Sequence, residues 1–156
     1  MDLFEDEIIL FFKHLSKQNV RFILVGGFAV NYHGFNRSTG DIDIWIYDSK
    51  ENRKSFITAL KEYGIEGAEV YNDLPFIAGY SELMLDNGIR IDMMSELQFF
   101  KKENFDECYE KANSFDLATG VILKIIHVNA LISEKEQSKR PKDGIDAAAL
   151  KKLYRD

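Results

Sequence analysis

Two aspartates one residue apart, Asp41 and Asp43, open the run Asp41-Ile42-Asp43-Ile44-Trp45-Ile46. On a strand, successive side chains point to opposite faces. Asp41 and Asp43 therefore share one face, while Ile42, Ile44 and Ile46 share the other. Two acids side by side, backed by an apolar layer, repel each other, and a divalent cation offsets that repulsion most simply. Upstream, an apolar run, Phe22-Ile23-Leu24-Val25, ends in Gly26-Gly27. A glycine pair there implies a backbone that must come close to something, such as phosphate. Together these residues point to metal-dependent chemistry on a nucleotide.

Ile89-Arg90-Ile91-Asp92-Met93 supplies a third carboxylate. Ile89, Ile91 and Met93 alternate to one face, Arg90 and Asp92 to the other. If this strand lies beside the first acidic one, Asp92 completes a three-carboxylate cluster. Such a cluster suits two magnesium ions about 4 Å apart, the arrangement used for in-line phosphoryl transfer. Taken alone, Asp92 reads as a surface acid paired with a neighbour such as Arg90.

These acids need elements to hold them. At 156 residues the chain reads as one domain. It is 46% hydrophobic and 29% charged, ordinary for a globular protein. The single cysteine, Cys108, excludes an intramolecular disulfide and fits a reducing compartment. The acidic start Met1-Asp2-Leu3-Phe4-Glu5-Asp6-Glu7 lacks the basic flank of a signal peptide. The apolar run from Phe22 to Val30 is too short to span a bilayer. The expected location is the cytoplasm, with no membrane partner. A net charge of -6 disfavours non-specific grip on long nucleic acid, though not the binding of a small triphosphate. The basic residues Lys135, Lys139, Arg140, Lys142, Lys151, Lys152 and Arg155 crowd the C-terminal part. As a charge run they read as a solvated helix face.

Ile8, Phe11, Phe12 and Leu15 recur at helical spacing and predict a helix over 6–18. Strands are expected at 21–25 and 41–47, with a short helix from Gly27 to near Gly34 between them. A polar loop, 35–40, leads into the acids. Asp48-Ser49 reads as a cap for a helix over 51–63, stopped by Gly64. Residues 70–78, with Asn72, Asp73 and Pro75, read as a loop with at most a short strand. Segments 82–85 and 89–93 form a hairpin around Asn87-Gly88. The remainder reads as helical at 97–102, 105–113, 119–133 and 143–154, with Asp116 or Thr119 as a cap. The expectation is an α/β (α+β) fold. It has a mixed twisted sheet with flanking helices over about 20–95, then a helical tail over about 97–156.

The pieces occur in a recognisable order. Leu24-Val25-Gly26-Gly27, then Arg37-Ser38-Thr39-Gly40-Asp41-Ile42-Asp43-Ile44, then Ile91-Asp92-Met93 resembles the polymerase-beta-like nucleotidyltransferase superfamily. Within it, Gly26-Gly27, His33-Gly34, Arg37-Ser38-Thr39 and Arg140-Pro141-Lys142-Asp143 are similar to motifs of small bacterial AbiEii-type proteins. The match spans Val25 to about Asp146. It implies a nucleotidyltransferase-type sheet and transfer of an NMP from an NTP to an acceptor hydroxyl, with release of pyrophosphate. Asp41, Asp43 and Asp92 would bind Mg2+, two ions in number, with Mn2+ as a substitute, and Asp92 would be the third ligand or the base. Gly26 and Gly27 would contact the triphosphate through backbone N–H groups. Arg37 and Thr39 would touch phosphate or hold the acid loop, and Lys142 would neutralise phosphate. The superfamily often has serine where Gly27 stands, so backbone contacts must do more here. The acceptor is open between a protein, a tRNA end and a small molecule. A toxin–antitoxin role with a cognate partner protein is also implied. The rival expectation is a module on the same fold that binds nucleotide or protein without turnover.

The remaining polar and aromatic residues read as structural. Three scattered histidines show no metal-ligand spacing, and His33 is expected to close its short helix. Trp45 shares the Asp43 face, where packing is expected over base stacking. The acidic surroundings of Cys108 favour an inert thiol. No lysine-serine pair follows the glycines, which counts against a P-loop.

Overall fold

The computed structural model describes residues 3–155. Met1 and Asp2, part of the acidic start, and Asp156 lie outside them. α1 (Asp6–Lys17) buries Ile8, Phe11, Phe12 and Leu15, the stripe its periodicity predicted. β1 (Phe22–Val25) is buried along its whole length and runs directly into α2 (Gly26–Tyr32). β2 (Asp41–Ile46) carries the acid pair at its start. Ser49 caps α3 (Lys50–Tyr63), its side chain accepting from the Asn52 N–H, and Gly64 ends the helix in a left-handed conformation. A 3-10 turn at Ala68–Asn72 follows, with no strand before β3 (Glu82–Met84). β3 pairs with β4 (Arg90–Met94) as the Asn87-Gly88 turn predicted.

The C-terminal part departs from expectation. Residues 97–102 form an irregular turn, with a short 3-10 segment at Lys102–Asn104, whereas α4 (Phe105–Lys111) falls where a helix was expected over 105–113. The predicted helix over 119–133 is two structures. Its first half belongs to a hairpin of β5 (Asn113–Ala118) and β6 (Val121–Ile125); its second half starts α5 (Val128–Gln137). The physical cause is a period of two. Val121, Leu123 and Ile125 are buried, while Ile122 is 57% exposed, a half-buried strand. Asp116 and Thr119 are therefore not helix caps. His127 caps α5, its Nδ1 accepting from the Asn129 N–H at 3.1 Å. α6 (Pro141–Tyr154) begins with proline in its first turn.

The result is an α+β architecture around one mixed sheet of order β3-β4-β2-β1-β6-β5. β1 lies antiparallel to β2 and parallel to β6, and β2 is parallel to β4. The sheet thus draws in residues 113–125, beyond the division expected near residue 95. β1 and β2 lie at its centre, which explains the unbroken burial of Phe22 to Val25. α5 and α6 pack on each other. No helix among the described residues is long and apolar enough to cross a membrane.

Candidate functional site

The parallel pairing of β2 with β4 sets Asp43 directly opposite Asp92 and Asp41 opposite Arg90. Cross-strand partners point to the same face, about 5 Å apart, and Asp41 sits two residues along that face. The three acids thus share one face at the centre of the sheet. Burial, then repulsion from Asp92 and Asp41, pushes the Asp43 carboxyl up to about 7, against the pull of Lys135 and Arg140. Burial likewise raises Asp92. Hydrogen bonding from the Gly79 N–H opposes that rise, and the Glu82 and Asp41 charges add to it.

Both glycines of the turn are fixed by close approach, but to protein. A Cβ on Gly26 would lie 2.0 Å from Asp43 Oδ2 and 2.8 Å from its Cγ, at a backbone φ of +69°. A Cβ on Gly27 would lie 2.3 Å from Thr39 Oγ1 and 2.7 Å from Thr39 Cβ. The glycine pair therefore lets the acid strand and its approach loop close onto the start of α2. That first turn has no side-chain cap, so its N–H groups remain suited to an anion.

Arg37 and Thr39 hold the loop. Arg37 donates through Nε and Nη2 to both oxygens of Asp146, at 2.8 and 3.0 Å, and through Nη1 to the Ser38 carbonyl at 2.9 Å. These bonds tie the loop before the acids to α6. Thr39 Oγ1 donates to the Asp41 carbonyl at 3.3 Å.

A cleft of about 920 Å³ opens over Asp43 and Asp92, within the range of small-molecule sites. Gly26, Lys135 and Arg140 line it with them, while Asp41, Gly27, Arg37 and Thr39 do not. Lys142 is exposed and is not part of that lining. A smaller cavity of about 490 Å³ beside Arg21 and Lys124 contains none of the three acids, so the chemistry assigns the site to the larger one. Lys135 bonds Asp143 at 2.9 Å and lies 3.2 Å from Asp146, both acids being almost wholly buried. Asp143 also accepts from Arg140 Nε and Ser138 Oγ. Burial would raise the Asp143 carboxyl, yet the bonds from Arg140, Ser138 and Lys135 hold it well below the usual range.

Lys135, Asp143 and Asp146 were missed as site residues because Lys135 falls in a charge run that reads as solvated. A signal was present. Asp143, Asp146 and Leu150 recur at i, i+3 and i+7, so both acids lie on the buried stripe of α6.

The other candidates pack. His33 Nε2 lies 2.7 Å from the Ile126 carbonyl, and burial lowers its pKa. Trp45 is fully buried, donates to the Ser95 carbonyl at 3.0 Å and packs on Phe100 and Phe105. Cys108 is buried, and that burial raises its thiol.

Among the described residues, no three His, Cys, Asp or Glu side chains stand gathered as a ready-made metal site. The donor set nonetheless fits magnesium. It is all oxygen, and burial together with the charges of Asp92 and Asp41 raises the Asp43 carboxyl, a cost that a hard cation relieves. Compared with known proteins, the chain matches no family model and no curated protein.

Proposed function

We propose that this chain is a metal-dependent nucleotidyltransferase that moves an NMP from an NTP to an acceptor hydroxyl, with release of pyrophosphate. The observation that carries the reading is the in-register placement of Asp43 against Asp92 in a cleft that Lys135 and Arg140 also line. Acids to hold a metal and cations to meet phosphate are the two halves of a triphosphate site. The motifs between residues 25 and 146 that resemble those of AbiEii-type nucleotidyltransferases support it.

In this reading Asp41, Asp43 and Asp92 hold magnesium, which when bound supplies the charge that activates the acceptor hydroxyl and stabilises the leaving pyrophosphate. Asp92 takes the hydroxyl proton. The backbone N–H groups of Gly26 and Gly27 orient the phosphates at the mouth of α2. Lys135 and Arg140 offset negative charge on the transferring group and the leaving group. Arg37 acts at one remove, fixing the loop that aims Asp41 and Asp43.

A second reading is a nucleotide- or protein-binding module without turnover. The position of Asp41 outside the lining of the cleft favours it. The two separate on incubation with each labelled NTP, magnesium and a mixture of protein, RNA and small-molecule acceptors. The transferase reading expects covalent labelling that disappears in Asp43→Asn. Nucleotide binding with no label transfer in the wild type puts the binding module ahead.

A further inference from the structure

The segment between Phe76 and β3 is a closed turn built onto the Asp92 strand. Ser81 Oγ donates to the Pro75 carbonyl and accepts from the Ile77 N–H, each at 2.8 Å. The Ile77 carbonyl accepts from the Tyr80 and Ser81 N–H groups, each at 3.0 Å. Both ends are stitched to the chain around Asp92: the Ser95 N–H donates to the Phe76 carbonyl at 3.1 Å, and the Met93 N–H to the Ser81 carbonyl at 2.8 Å. At the apex the Gly79 N–H reaches both oxygens of Asp92, at 3.1 and 3.0 Å. Nothing lies within 4 Å of where a Gly79 Cβ would stand. The glycine is therefore required by its φ of +80°, not by crowding, and that φ is part of the turn geometry that presents the N–H to the carboxylate.

We infer that Gly79 is a positioning residue for Asp92, and that the Ser81-closed turn serves to aim its N–H. The inference rests on the transferase reading, because it treats Asp92 as a ligand. A carboxylate at a strand surface rotates freely unless something holds it. Here a single backbone donor centred on both oxygens fixes the plane of the carboxylate and so fixes which lone pairs remain for a cation shared with Asp43. Outer partners of metal-binding groups typically contribute about 10–100-fold to metal affinity. Removing the Ser81 hydroxyl takes away two of the bonds that close the turn while leaving every acid in place.

The test is Mn2+ binding to the full chain, followed by electron paramagnetic resonance, in wild type, Ser81→Ala and Ser81→Thr. Amide exchange at Gly79 is measured in the metal-free proteins. The expected result is weakening by about 10-fold or more in Ser81→Ala, with loss of Gly79 protection and recovery of both in Ser81→Thr. A purely structural turn would lower the unfolding midpoint without changing Mn2+ affinity. Wild-type affinity in Ser81→Ala, with Gly79 protection lost, overturns the inference and leaves the transferase reading intact. A wild type that binds no Mn2+ overturns both. If Ser81→Ala does not fold, titration of wild type with Mg2+ decides. The Gly79 amide resonance should shift as the site fills, and an unmoved resonance at saturation overturns the inference.

Discussion

Asp43 carries a conflict between stability and function that one substitution exposes. Its carboxyl titrates near 7 in the folded chain against an ordinary 3.8. Folding therefore takes up a proton between those values, and stability falls as pH rises through that window, then levels off above it. Asp43→Asn removes that pH dependence. With metal chelated, the variant should be more stable than wild type at pH 8 by about 1–3 kcal/mol, the difference vanishing near pH 4 where both side chains are neutral. Thermal melts at the two pH values check this; equal stability at pH 8 would mean that the burial and repulsion at Asp43 are not felt. Gly26 lies under the same side chain. Gly26→Ala forces a Cβ into Asp43 at a positive φ and should destabilise by about 1–3 kcal/mol, measured by urea denaturation. The glycine–acid pairing was legible as residue types. What the glycines accommodate was not, because the register that brings Asp43 over Gly26 is a long-range pairing.

At the scale of elements, most of the first 95 residues were readable, as was α4, but the β5–β6 hairpin and the turn over 97–102 were not. α1, α3 and the β3–β4 hairpin announce themselves through a buried stripe, a Ser49 cap with a Gly64 stop, and an Asn-Gly turn. The β5–β6 hairpin was hidden because Val121 to Ile125 is short and apolar, and such runs fit either period. Its pairing with β1 matters to the site. The Ile126 N–H donates to the Leu24 carbonyl at 3.0 Å, so β6 delivers the start of α5, and with it Lys135, beside the β1–α2 turn. Leu123→Ala, in the buried row of β6, should cost about 2–5 kcal/mol, read from denaturant midpoints. Arg37 joins two elements far apart in sequence, the acid loop and α6. Arg37→Met removes the bidentate partner of the buried Asp146, leaving Lys135 at 3.2 Å, and should destabilise by about 3–5 kcal/mol. A cost below about 1 kcal/mol, the range of an exposed pair, would contradict the burial of this link.

The whole molecule reads as a sheet that brings three acids to one face and a pair of C-terminal helices that carries cations over them. The acids were found in the sequence because strand alternation is strict. The facing cations were not, since the exposed Lys142 and the buried Lys135 look alike in a basic run until the helix face is known. The proposed transfer rests on the same residues, and it turns on which bond is cut. The most direct measurement compares α-labelled with γ-labelled NTP, magnesium present, in wild type, Asp43→Asn and Asp92→Asn. Acceptor should take up the α-label and not the γ-label in wild type, and uptake should fall at least about 100-fold in either variant, in keeping with the loss of a group that stabilises the transition state. Transfer of the γ-label, or α-label transfer that survives both substitutions, would contradict the proposal.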